Sequence, residues 1–138
     1  MTDILVSKDD GQVVTLTLND APANCLTMEM MSAIKMEIDR VNQSKDHKLV
    51  IFESSNEKIF CSGHSFKEVQ EMIKNNDKKS QELLFAECSE MLMKIRTSPK
   101  IFVAKVRGIA TAGGLGLVSI MDCVFSSKSA RFALGGIN

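Results

Sequence analysis

Apolar and polar residues alternate over Val13–Leu18 (VVTLTL), and a period of two among β-branched residues and leucine predicts a strand with one buried face. The turn-rich connection NDAPANCL follows, and then the period changes. Across Met28–Gln43 the apolar positions Met31, Ile34, Ile38 and Val41 fall three or four apart, which lines one face of a helix. Thr27 stands at the N-cap position, where a hydroxyl takes an amide that has no helical partner. KLVIFES (48–54) is predicted as a short buried strand and SNEKIFCSG (55–63) as a loop. A second helix opens at SFKEV (65–69), is broken by the charged stretch KNNDKKS, and is followed by a long helix over 82–96. That helix carries Leu83, Leu84, Met91, Leu92 and Ile95, and Pro99 ends it. Ile101–Val106 reads as a strand, DCVFSS as another and ARFALGG as a last extended piece. Strands alternating with crossover helices predict one α/β domain whose central strands run largely parallel.

One stretch breaks this regularity. IATAGGLGLV (109–118) leads from a strand into a helix, with Gly113, Gly114 and Gly116 at the head of that helix. Each interior helical glycine is unfavourable by about 1 kcal/mol against alanine, so something requires bare backbone here. Close packing of helix on sheet would need it, and so would close approach of a ligand.

Composition narrows the choice. A hydrophobic fraction of 44% and a charged fraction of 25% in 138 residues suit one folded core and argue against disorder. The 17 basic and 17 acidic residues cancel, and Trp and Tyr are absent, so the chain offers nucleic acid neither a field nor a stacking platform. The apolar run 109–121 is too short for the roughly 20 residues of a membrane span. Cys25, Cys61, Cys88 and Cys123 make no CxxC pair and no signal peptide precedes them, so they are expected to be the reduced thiols of an intracellular protein. The N-terminus is acidic and carries no arginine, unlike a transit peptide.

Several chemistries are excluded by spacing. A phosphate loop needs Lys-Ser or Lys-Thr after its glycines, and Gly114-Leu115 stands there instead. The glycines do not fit GxGxxG either, and the ribose-binding acid is missing. Cys61 and His64 lack the further ligands of a metal site, so no metal is expected. They also lack the third group that would orient a Cys–His nucleophile pair. His47, in SKDHK, reads as a solvated turn residue.

Two loops remain. FCSGHSF (60–66) and RGIATAGG (107–114) each follow a buried strand and place small residues just before a helix. Amides at the start of a helix have no intrahelical partner. Two of them, brought from two loops to one point, would hold an oxyanion.

Together, IFCSGHSFKEV and, some forty residues on, IFVAKVRGIATAGGLGLVSIMDCVFSSKSARFAL resemble the enoyl-CoA hydratase/isomerase (crotonase) superfamily, and VVTLTLNDAPANCLTMEMM is similar to its first strand and helix. The resemblance covers essentially the whole chain. It implies a spiral of ββα units and a site for a coenzyme A thioester as substrate or ligand, with no tightly bound cofactor. The thioester oxygen would be held by the backbone amides of His64 and Gly113. His64, Ser65, Phe66 and Lys67 match the segment that lines the acyl-CoA, and Ala23 lies where the family meets the adenine.

The resemblance also marks departures. The two hydratase glutamates fall at Gly116 and Gly136, and the usual aspartate beside the first oxyanion residue is Ser65. Two readings of His64 stand, an imidazole that replaces a lost base and a solvated or core-facing residue, the second being commoner. Family members run to about twice this length, so the chain is expected to be truncated at its C-terminal end, without the helices that cover the site and build trimers. The family further implies a mitochondrial setting, acyl-CoA metabolism and a homo-oligomer or another protein partner. A thioester-binding enzyme and a non-catalytic scaffold or interaction subunit are the two functions left standing.

Overall fold

The computed structural model describes residues 3–134. Strand β2 (Val13–Leu18) buries Val14, Leu16 and Leu18 on one face, as the period of two requires. It pairs with β1 (Leu5–Asp10) antiparallel and with β3 (Leu49–Ser54) parallel. Beyond β3 come β5 (Ile101–Val106) and β7 (Cys123–Ser126), both parallel to it, giving a five-stranded sheet in the order β1-β2-β3-β5-β7. Helix α1 (Met28–Gln43) buries Met30, Met31, Ile34, Ile38 and Val41, and α3 (Lys78–Thr97) buries Leu84, Met91 and Ile95. Phe52 and Phe102 lie on neighbouring strands within the same core, ring centroids 6.3 Å apart. The Thr27 hydroxyl does cap α1, accepting from the Met30 amide at 3.0 Å.

A second sheet carries the two loops singled out in the sequence. β4 (Ile59–Cys61), β6 (Ile109–Thr111) and β8 (Arg131–Ala133) form three parallel strands in that order. Both loops singled out in the sequence therefore begin as strands, where the residue pattern predicts irregular chain. Three residues are too few to establish a period. β1 is also absent from the sequence-based reading, because five of its six residues are exposed and it has no apolar face to detect. It is held by its ladder to β2, with Leu5 opposite Leu18.

Helix α2 (Phe66–Lys74) and α3 are separated as the charged stretch predicts. Asn76 adopts φ 50° between them, a left-handed turn that asparagine tolerates better than most residues. α3 starts four residues before the predicted 82, because the Asp77 side chain accepts from the Ser80 amide and caps it. Leu83, assigned to its apolar face, is half exposed. Short α4 (Gly113–Ser119) leaves the end of β6 and buries Gly114, Leu117 and Val118. Among the described residues no helix is long and apolar enough to cross a membrane.

Candidate functional site

Parallel pairing places the site. Ile59 stands opposite Ile109 and Cys61 opposite Ala110, so β4 and β6 release their C-terminal ends side by side. Ser62, Gly63 and His64 leave one strand, and Ala112 and Gly113 leave the other. The two loops touch: a Cβ placed on Gly63 would lie 2.7 Å from the Gly113 amide nitrogen. Gly63 has φ +86°, so glycine is required there both by its conformation and by this approach.

Ala112 is the strained residue. Its φ of 52° and ψ of −123° lie outside the regions that alanine favours, immediately before the Gly113 amide. The Ala112 N–H is tied to the Ala133 carbonyl at 3.0 Å, which anchors the turn to β8. Such strain is worth roughly 1–3 kcal/mol and persists where the surroundings impose it.

A third segment closes the site from the side of α1. The Leu26 amide donates to the Gly63 carbonyl at 2.8 Å and the Ser62 amide to the Ala23 carbonyl at 3.1 Å. Asn24 is buried at φ 47° and satisfied on both ends of its side chain. Its carbonyl accepts from the Asp20 amide, and its NH2 donates to Ser54 Oγ at 2.8 Å and to the Phe60 carbonyl at 3.0 Å. One asparagine thereby joins this loop to β3 and β4.

The two loops and the first turn of α2 form a partly open pocket of about 190 Å³ lined by Ser62, His64, Phe66, Val69, Ala112 and Gly113. Of the sequence-predicted residues, His64, Phe66 and Gly113 line it. Ser65 instead caps α2, its hydroxyl accepting from the Glu68 amide at 3.3 Å. Lys67 is exposed on the first turn of α2 and does not line the pocket. Ala23 backs the wall, its carbonyl taking both the amide and the hydroxyl of Ser62. Ser62, Val69 and Ala112 were not singled out by the sequence. Neither the His64 nor the Gly113 N–H donates to any acceptor among the described residues.

The glycines at the head of α4 have separate reasons. A Cβ on Gly114 would overlap the Cys61 carbonyl oxygen and lie 2.7 Å from its carbon, so Gly114 is there for packing. At Gly113 a Cβ would meet Gly63 Cα at 3.3 Å and Leu26 Cδ1 at 3.4 Å, in the pocket wall. Gly116 has nothing within 4 Å of its missing Cβ. Gly136 lies outside the described residues.

None of the four thiols lines the pocket. Burial pushes the Cys61 thiol up to about 12, far from the thiolate that nucleophilic attack or metal binding requires. All four cysteines are free, and the described residues hold no cluster of His, Cys, Asp and Glu able to bind a metal. His47 is not solvated as its turn context suggests; its Nε2 lies 3.2 Å from Asp9 Oδ2, and its ring is largely covered.

A mixed α/β fold in which two strand-to-helix loops meet at a small pocket defines the class. The profile of the enoyl-CoA hydratase/isomerase family matches residues 8–138, and the chain belongs to that family. Mitochondrial enoyl-CoA hydratase domain-containing protein 3 of Mus musculus is 32% identical over 131 residues, which are 95% of this chain and 42% of that protein. The crystal structure of the human protein of the same name superposes with a TM-score of 0.90 at 27% identity, over 97% of this chain and 52% of that one. An enoyl-CoA hydratase structure from Mycobacterium smegmatis gives 0.91 at 35% identity, over 99% and 52%. The chain thus spans about half the length of the relatives it matches.

Proposed function

We propose that the chain binds the acyl thioester of coenzyme A, holding the thioester oxygen between the backbone amides of His64 and Gly113. The observation that carries this reading is the pair of unpartnered N–H groups on two touching loops beside one pocket. An amide with no internal acceptor gains a charge-assisted hydrogen bond when an oxygen bearing partial negative charge arrives. Phe66 and Val69 give the acyl group an apolar wall, while Ser65 and Lys67 on the first turn of α2 and Ala23 beyond Ser62 flank the path of the coenzyme A moiety. In this reading the oxyanion hole favours an enolate-like form of the thioester, and the setting is mitochondrial acyl-CoA metabolism, the compartment that the relatives' name carries.

Calorimetry with a panel of acyl-CoA and enoyl-CoA thioesters tests this. Gly113→Pro deletes one donor and is expected to weaken binding. Loss of an oxyanion donor is worth about 3–4 kcal/mol in a transition state and less in ground-state binding. A folded chain that gives no heat with any thioester refutes the proposal.

The second reading, a scaffold or interaction subunit without turnover, is favoured by a different observation: no carboxylate lines the pocket among the described residues. Either way a protein partner is proposed, a homo-oligomer first. Val124 and Phe125 on β7, Phe132 on β8 and Leu134 just after it are 40–77% exposed. Extensive exposed apolar surface marks an interface more often than a free surface. Sedimentation is expected to show self-association, and a monodisperse, thermally robust monomer would count against it.

A further inference from the structure

We propose that the His64 imidazole moves a proton between solvent and the α-carbon of the bound thioester, with Nε2 as the acting atom. This rests on the thioester reading above. His64 Nδ1 lies 3.2 Å from the Leu26 carbonyl oxygen. A carbonyl only accepts, so Nδ1 carries the hydrogen, and a neutral ring so anchored keeps its lone pair on Nε2. The ring's orientation follows from two further contacts. Its Cδ2, the carbon bonded to Nε2, lies 3.7 Å from the position a Gly113 Cβ would take, so the Cδ2–Nε2 edge is turned toward the second loop. Phe85 packs on the ring edge-to-face, centroids 5.7 Å apart and planes at 79°. Nε2 has no hydrogen-bond partner among the described residues, although His64 lines the pocket. A pocket-lining imidazole with one nitrogen held and the other unpartnered has a lone pair available to a proton. The nearest carboxylate on α2, Glu68, is turned toward the first amide of α1, with Oε1 3.5 Å from the Met28 nitrogen, and it does not line the pocket.

The step balances without any co-reactant. Nε2 takes the α-proton as the Cα–H bond breaks. The electron pair passes into an enolate whose oxygen the His64 and Gly113 amides hold. The imidazolium exchanges its proton with water and returns one to the α-carbon. One residue thus contributes twice, through its backbone N–H and through its ring.

The test uses butyryl-CoA in D2O with the chain as it stands, reading α-deuteration by mass spectrometry alongside binding by calorimetry. The wild type is expected to deuterate the α-carbon. His64→Asn places an amide nitrogen near the Nδ1 position, keeping both the Leu26 hydrogen bond and the backbone donor while removing the base. At saturating butyryl-CoA, with occupancy read by calorimetry, it is expected to lose about 10²-fold or more of the exchange per bound thioester, the usual worth of one acid–base group. His64→Phe, lacking both nitrogens, should lose exchange equally. Exchange in His64→Asn at the wild-type rate overturns the assignment. Wild-type binding without exchange above buffer overturns it while leaving the thioester site standing, and no binding by the folded chain overturns both.

Discussion

Gly114→Ala is expected to leave the chain largely unfolded. The added methyl would overlap the Cys61 carbonyl and stand 2.9 Å from Cys61 Cβ, and neither the β4 backbone nor a buried side chain can swing aside. Ordinary overpacking in a core is worth about 1–3 kcal/mol. A clash with strand backbone belongs to the rarer class above about 4 kcal/mol, a large part of the ~5–15 kcal/mol that holds a typical domain together. Urea denaturation of Gly114→Ala beside Gly116→Ala reads the difference directly. At Gly116 the same methyl meets nothing, so helix propensity should leave that variant as stable as the wild type or about 1 kcal/mol more so. Equal midpoints for the two variants would mean that α4 does not rest on β4 through Gly114.

Hydration of crotonyl-CoA is expected to be orders of magnitude below that of a working hydratase. Adding water across a double bond needs one group to take a proton from water and another to protonate the α-carbon, and each contributes typically 10²–10⁴-fold. On the proposed alignment both positions are glycine, Gly116 and Gly136. The pocket itself is lined by apolar groups, a serine, backbone and one imidazole. The free space at Gly116 leaves room for a longer side chain, so Gly116→Glu with Gly136→Glu is the variant that should recover part of the activity. Turnover by the unmodified chain near the enzyme median of about 10 s⁻¹ would show that the catalytic positions are misassigned.

Much of this was legible in the residues. The period of two in VVTLTL and the i, i+3, i+4 spacing of Met31, Ile34, Ile38 and Val41 imposed β2 and α1 with their observed bounds, because each pattern has only one way to bury its apolar face. Thr27 marked the start of α1 and Pro99 the end of α3, for local hydrogen-bonding and steric reasons. β1 was not legible, since a polar edge strand is defined by the ladder it joins rather than by its own pattern. β4 and β6 were hidden for a related reason: each is three residues long, and only the pairing of one with the other makes them strands.

The two loops of the site were recognisable from small residues placed between strand and helix, and the family motifs named His64 and Gly113. Which glycine served which purpose was not recognisable. Gly113, Gly114 and Gly116 are chemically identical in the sequence, yet one faces the pocket wall, one lies against Cys61 and one faces open space. Ala112 gave no sign of its positive φ, because that angle is imposed by β8 and the helix that follows.

By itself, then, the sequence determined the α/β class, the principal helices and strands and the family, all properties carried by local periodicity and short motifs. The tertiary structure alone decided that β4 and β6 lie side by side and bring their two loops to one pocket, and that the His64 ring is held through Nδ1, with Nε2 unpartnered among the described residues. Those features depend on contacts between residues 38 to 50 positions apart, such as Leu26 with His64 and Ile59 with Ile109, and no local pattern encodes the distance between them.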